Sequence, residues 1–180
     1  DMKALLLNGS PRKGNIHTAL ESLKKGFSNI DGLSVSQIDA TKVKVSCCIA
    51  CEQCGKTKGC VFKDDTNKIL DEIIDADILV FATPVYWWGI SAQLKVIIDK
   101  FYCRQESLKA SGKQVGLIIT GQLPADDVQY QLISRQIECI SDFLGWKLVF
   151  CKAYSAYDAD DLAKNTDALS EIEQLWKEIR

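Results

Sequence analysis

The chain lacks the signatures of several large protein classes. No G-x-G-x-x-G run occurs in its 180 residues, so the dinucleotide fingerprint is missing. Gly55-Lys56-Thr57 has the ending of a triphosphate-binding P-loop, but the first glycine of that motif falls on Ala50. No cysteine has an arginine six positions later, which excludes Cys-x5-Arg phosphatase chemistry. The lone histidine, His17, gives little support to hydrolases built on a Ser–His or Cys–His pair. No apolar run approaches the ~20 residues of a membrane span. A formal net charge of −2 leaves no basic footprint for nucleic acid or an anionic membrane. Repeats, low-complexity segments and linkers are absent as well. The first residues form no charged-then-apolar leader. Eight cysteines without an export signal then point to reduced thiols, metal ligation or redox work rather than a disulfide framework. The expected location is the cytoplasm.

What remains is a chain of 47% hydrophobic and 26% charged residues, long enough for one good core and short for two domains. Apolar runs alternate with helical patterns throughout. Strands are predicted at 3–7, 33–39, 77–82, 114–120 and 146–151, with 33–39 alternating as an edge strand does. Helices are predicted from about 18 to 27, at 66–76 behind Asp65 as N-cap, at 91–102, at 128–144 with Gly145 as the stop, and at 159–179. Residues 43–64 form an irregular, cysteine-bearing insert. Five strands alternating with helices call for an α/β fold with a parallel sheet covered on both faces by right-handed crossovers. In the strand order 2-1-3-4-5, ligands bind at the carboxyl ends of the strands, where the order switches between the first and third. Three unusual loops fall there: 8–17, 83–89 and 120–126.

The first loop, Asn8-Gly9-Ser10-Pro11-Arg12-Lys13-Gly14-Asn15, joins a hydrophobic strand to a helix start. Unpaired helix amides, their positive partial charge and the Arg12 fork suit a phosphate monoester better than a triphosphate. The second, Thr83-Pro84-Val85-Tyr86-Trp87-Trp88-Gly89, carries three consecutive aromatics where a polar helix start is usual. Consecutive rings cannot all face one core, so one of them meets a planar ligand or another subunit; the alternative is an aromatic plug beneath the loop. The third signal is Cys48-x2-Cys51-x2-Cys54-x5-Cys60. Four thiolates within thirteen residues can wrap a cubane or a tetrahedral metal, and a metal-free set of thiols is the plain alternative. Lys56, Lys58 and Lys63 flank the motif and either screen an anionic centre or solvate the loop. Cys103, Cys139 and Cys151 lie on regular patterns as small buried hydrophobes. Lys63-Asp64-Asp65 reads as helix capping rather than metal ligation.

In this order and spacing, the glycine–serine–arginine loop, the cysteines and the run from Thr83 through Gly89 to Lys95 resemble the NAD(P)H-dependent FMN reductase and iron–sulfur flavoprotein group of the flavodoxin-like superfamily. The resemblance is dense over residues 2 to about 102 and rests on fold beyond. It implies a flavodoxin-like three-layer sandwich over residues 1–180, with FMN bound non-covalently and reduced by NAD(P)H. It also implies a small-molecule electron acceptor such as a quinone or free flavin, and a homodimer or homotetramer with the isoalloxazine near a subunit boundary. Carried over by position, Ser10, Arg12 and Asn15 hold the phosphate with the Ile16 and His17 amides, and Thr18 or His17 replaces a threonine hydroxyl missing at position 16. Pro84, Val85, Tyr86 and Trp87 line the isoalloxazine, with backbone N–H groups at its N5 and O4; Trp88 and Gly89 shape the far wall, and Thr120 and Gly121 form a third flavin loop. The cysteines match the motif that holds a 4Fe–4S cluster in iron–sulfur flavoproteins, with zinc or no metal as alternatives. No side chain is assigned an acid–base role, because hydride transfer is the flavin's own chemistry. An electron carrier reduced by another protein is the competing function, and a regulatory protein that binds no flavin is a third.

Overall fold

In the run Lys3–Asn8 (β1), every residue after Lys3 is buried, as a parallel strand covered on both faces must be. A computed structural model describes all 180 residues. β1 leads to Asn15–Phe27 (α1) and Ser34–Asp39 (β2). An irregular stretch follows, whose only regular element is one turn, Cys54–Thr57 (α2). Next come Thr66–Asp75 (α3), Ile78–Pro84 (β3), Ala92–Asp99 (α4) continued by a 3₁₀ turn at Lys100–Arg104, and Gln105–Ser111 (α5). The chain closes with Gln114–Gly121 (β4), Val128–Leu144 (α6), Lys147–Ser155 (β5), Asp161–Lys164 (α7) and Thr166–Glu173 (α8), with a final 3₁₀ turn at Gln174–Glu178. The sheet is parallel in the order β2-β1-β3-β4-β5, as predicted.

Alternate residues of the strands feed two cores. Leu5, Leu7, Leu79, Phe81, Leu117 and Ile119 pack beneath α3, α4, α5 and α6. Leu6, Val80 and Ile118 face α1 and α8 on the other side. Period-two strands between helical layers account for the near-continuous apolar runs in the sequence.

Several elements differ from the sequence reading. The closing helix breaks at Asn165, whose side-chain oxygen accepts the Ala168 N–H at 3.0 Å and starts α8 as a new helix. The α5 helix went unpredicted; it is seven residues long and anchored by buried Leu108, whose carbonyl accepts the Trp146 indole N–H at 2.9 Å. β5 runs four residues past its predicted end because β4 pairs with it as far as Gly121 and Ser155. In β2 only Ile38 is fully buried and Val35 stays exposed, so the predicted alternation does not translate into a covered face. α6 matches its predicted span, and Gly145 closes it at φ 71°.

Asp65 stands before α3 but its side chain does not cap it. Instead its carboxylate accepts the Lys44 N–H at 2.7 Å, while Asp64 accepts the Ser46 N–H at 2.8 Å and the Thr66 N–H at 2.9 Å. The pair therefore ties the start of the insert to the start of α3. Partial burial alone would raise the Asp64 pKa, but hydrogen bonds from Ser46 and Thr66 outweigh it and bring the pKa down to about 2. A carboxylate with a depressed folded pKa stabilises above its unfolded value, near 3.8, and that contribution is lost as pH falls toward 2. Asp64→Asn is expected to loosen the insert by about 0.5–1 kcal/mol, the low end for hydrogen bonds to a partly exposed group. Amide exchange at Ser46 should show the loosening at neutral pH in the variant, and in the unmodified protein only below about pH 4.

Candidate functional site at the carboxyl edge of the sheet

The loops after β1, β3 and β4 meet at one edge, where β1 lies between β2 and β3. Gly9 enters the first loop with its N–H on the Ala82 carbonyl at 2.8 Å, so the loop begins against β3. Asn8 accepts the Ser10 N–H at 2.9 Å, and the Ser10 hydroxyl lies 3.2 Å from the Arg12 carbonyl. Gly14 precedes α1 without a capping side chain, and the first helical bond runs from Thr18 N–H to Gly14 at 3.0 Å. The N–H groups of Asn15, Ile16 and His17 thus have no acceptor in the protein. That is the donor set an anion needs at a helix start. Ser10, Arg12 and these three amides fit a terminal phosphate. Ile16 takes part through its backbone only, its side chain being in the core. His17 and Thr18 are half-buried beside it.

Asn15 departs from its predicted role. Its side chain donates to the Asp158 carbonyl at 2.9 Å and accepts the Leu162 N–H at 3.0 Å, so both polar atoms are engaged by the segment after β5. The residue is 3% exposed and locks the start of α1 to the segment after β5. Arg12 joins the same lock by donating from Nη2 to the Tyr157 carbonyl at 2.7 Å. The 157–162 segment is therefore a wall of the site that sequence reading missed; Tyr157 is exposed beside Arg12 and had no motif to mark it.

The aromatic loop is a two-residue hairpin. Tyr86 and Gly89 exchange both backbone hydrogen bonds, at 2.9 and 3.0 Å, across Trp87 and Trp88 at φ 48° and 62°. Two positive φ values in such a turn ordinarily call for Asn-Gly, and bulky residues there are strained. Trp87 is 90% exposed, so no local packing offsets the strain. The aromatic plug is thereby ruled out for this ring. Val85 donates its N–H to the Thr120 carbonyl at 2.8 Å and Tyr86 to Gly89, so neither of these amides is free for a ligand. The free amides of the loop are those of Trp87 and Trp88 at its tip. Thr83 Oγ1 accepts the Ser91 N–H at 3.1 Å, and Ser91 caps α4, which fixes the base of the hairpin.

Pro84 and Val85 stand half-buried at the end of β3, and buried Thr120 and Gly121 end β4. A Cβ on Gly121 would come within 2.9 Å of Val85 Cγ2 and Gln129 Nε2 and 2.8 Å of Tyr130 Oη, so any other residue there would have to displace these side chains. Gln129 Nε2 is buried without an acceptor, an unsatisfied donor beside this third loop that no sequence signal marked.

The cysteine motif is elsewhere. Cys48, Cys51, Cys54 and Cys60 line one concavity of about 30 Å³ with Cys103 and Lys100, at the far end of α4 from the aromatic loop. Eight helical residues separate the two, or about 12 Å of rise. Residues 40–45, which lead into the insert, lie beside the start of α4. No three Cys, His, Asp or Glu side chains converge on a point, as a tetrahedral zinc ion requires. Four thiols around one concavity suit a polynuclear centre, whose metal ions stand between the sulfurs. Positive φ at Ala50 and Glu52 folds the backbone around it. Lys56, Lys58 and Lys63 are exposed and solvate the loop, whereas the buried cation is Lys100, forty residues away in sequence, with Nζ 3.3 Å from Cys60 Sγ. Burial pushes the Cys103 thiol up to about 11, aided by neighbouring Cys60 and Cys54. Cys139 and Cys151 are exposed rather than buried, on the outer side of α6 and on the edge strand β5.

A parallel sheet of this order, with a helix-start anion cradle after β1, defines a flavodoxin-like α/β protein. Sequence comparison narrows the class: residues 2–137 match the family described as NADPH-dependent FMN reductase, and the chain belongs to that family. It is 33% identical over 121 residues to an iron–sulfur flavoprotein of Archaeoglobus fulgidus, covering 66% of this chain and 54% of that one. It is also 33% identical over 104 residues to an iron–sulfur flavoprotein of Methanocaldococcus jannaschii, covering 57% and 51%. The chain thus spans about half the length of these curated relatives. Among solved structures, an FMN-dependent NADH-azoreductase of Bacillus anthracis in complex with FMN superposes with a TM-score of 0.68 at 15% identity, covering 97% and 98% of the two chains. An NAD(P)H:quinone oxidoreductase of Methanothermobacter marburgensis gives 0.73 at 16%, covering all of both. No helix is long and apolar enough to cross a membrane.

Replacing Trp87 with Asn, which tolerates positive φ, is expected to stabilise the fold by about 0.5–1 kcal/mol in urea denaturation, since almost no buried area is lost. The same variant should weaken flavin binding or acceptor turnover. Stability gained without any functional loss would show the tip to be an ornament of the fold.

Proposed function

We propose that this chain is an FMN-dependent oxidoreductase that accepts hydride from NAD(P)H and passes the electrons to a small acceptor such as a quinone or free flavin. The observation that carries the reading is the uncapped start of α1, with three unpaired amides beside Ser10 and Arg12 at the sheet's switch point. Bound FMN supplies reversible hydride chemistry there. Ser10, Arg12 and the Asn15–His17 amides hold its phosphate, and the single-phosphate cradle leaves no berth for the adenosine of FAD. The tip amides of Trp87 and Trp88 serve as donors toward the polar edge of the ring system, while the two indoles exclude water from it. His17 neighbours the phosphate and moves no proton. Concavities of about 450, 380 and 350 Å³ lie along the insert and the outer helices. A second copy covering the exposed tip, in a homodimer or homotetramer, fits that open edge. A net charge of −2 favours neither nucleic acid nor an anionic membrane as partner, and a cytoplasmic location suits the unpaired thiols.

A second reading is favoured by the shared concavity of the cysteines: an iron–sulfur flavoprotein in which Cys48, Cys51, Cys54 and Cys60 hold a 4Fe–4S cluster and electrons leave singly. Relatives named iron–sulfur flavoproteins support it.

Purified protein should show flavin bands at about 375 and 450 nm that bleach on anaerobic addition of NADH or NADPH. Persistent colour with both nucleotides would favour a carrier reduced by another protein. Arg12→Ala should weaken FMN by about 1.5–3 kcal/mol, the scale of a charge-assisted hydrogen bond, as read by fluorescence titration. His17→Gln should leave the bleaching rate largely intact.

A further inference from the structure

Lys100 is 3% exposed, and no carboxylate compensates its charge. Its neighbour Asp99 is paired with Lys95, and the Glu52 carboxylate across the concavity accepts the Tyr102 hydroxyl at 2.9 Å. None of the chain's ion pairs includes Lys100. Its ammonium has one hydrogen-bond acceptor, Cys60 Sγ at 3.3 Å, and lies 4.5 Å from the centroid of the Phe62 ring. A buried cation is costly unless an anion or a polarised group meets it. Here everything offered to it is sulfur and an aromatic face. Cys103, three residues along the same 3₁₀ turn, lines the same space, its thiol held protonated by burial. The concavity is therefore built for negative charge carried on sulfur, and the counter-charge comes from the turn that continues α4 rather than from the lysines of the motif.

We propose that Lys100 is a positioning residue for a 4Fe–4S cluster on Cys48, Cys51, Cys54 and Cys60: it holds the Cys60 ligand by a charge-assisted hydrogen bond and raises the cluster's reduction potential. The proposal rests on the second reading given above. Hydrogen bonds to ligand sulfur and nearby positive charge stabilise the more negative, reduced form, which moves the potential upward. The effect is confined to the cluster, because the flavin loops lie at the other end of α4.

The test uses whole protein reconstituted anaerobically with ferrous iron and sulfide, then titrated with dithionite under electron paramagnetic resonance. About four iron and four sulfide per chain in the unmodified protein establish the cluster. Lys100→Met, of similar length and uncharged, should then shift the reduction equilibrium at least tenfold toward the oxidised form, about 59 mV downward for a one-electron couple. Lys100→Gln, which keeps a donor but no charge, should shift it in the same direction and replaces the methionine variant should that one fail to fold. Lys58→Met, on the motif but exposed, should leave the reduction equilibrium within twofold, and FMN affinity should be unchanged in all three. A potential unmoved in both Lys100 variants overturns the proposal. Loss of the cluster in both, with fold and FMN retained, would make Lys100 a structural support and overturns it as well. Failure of the unmodified protein to take up iron and sulfide removes the cluster reading itself, and the proposal with it, while leaving the flavin assignment standing.

Discussion

Parallel pairing of β1 with β2 on one side and β3 on the other makes the chain leave the sheet edge in two directions. From β1 it turns to the face of α1 and α8; from β3 and β4 it turns to the face of α4 and α6. Between those departures a crevice opens that no crossover can fill. The unpaired amides of α1, the hairpin after β3 and the close-packed Gly121 all face this edge because the topology leaves nowhere else for strand ends to go. What the side chains add is selectivity for an anion on one side of the crevice and a planar group on the other.

Two kinds of bond keep the edge from splaying. Asn15 and Arg12 tie α1 to the segment after β5, so the anion cradle is braced from behind by backbone carbonyls rather than by carboxylates that would repel a phosphate. Thr83 and Ser91 brace the hairpin from below. The strained tip then carries its two indoles on a rigid stem, and the cost of the positive φ values is borne by the pairing of Tyr86 with Gly89.

Much of this was legible in the sequence because it is local. Leu5–Leu7 and Ile78–Ala82 announce strands by apolar content, Gly145 announces a helix stop, and the glycine–serine–arginine run announces an anion site. The exceptions are of two sorts. Some were local but faint: Asn165 is a good N-cap in the middle of a helical pattern, and α5 offers one apolar anchor in seven residues. Others depend on contacts that no window contains. Asn15 looks like a phosphate ligand until Asp158 and Leu162 arrive from more than 140 positions away. Lys56, Lys58 and Lys63 look like the partners of the cysteines until the fold delivers Lys100 instead.

The position of the cysteine concavity at the end of α4 has a consequence for how the chain tolerates change. Residues 43–64 bridge from the edge strand β2 to α3, so that segment can lengthen or shorten without disturbing a core strand. The helix beneath it has no such freedom. Each residue inserted into or deleted from α4 would move Lys100 by 1.5 Å along the axis and swing it by about 100° around it. The ammonium would leave the sulfur and enter the apolar layer or the solvent. Relatives sharing this arrangement should therefore vary in the length of the cysteine loop yet keep the count from Ser91 to Lys100 constant, a ruler written in helical pitch.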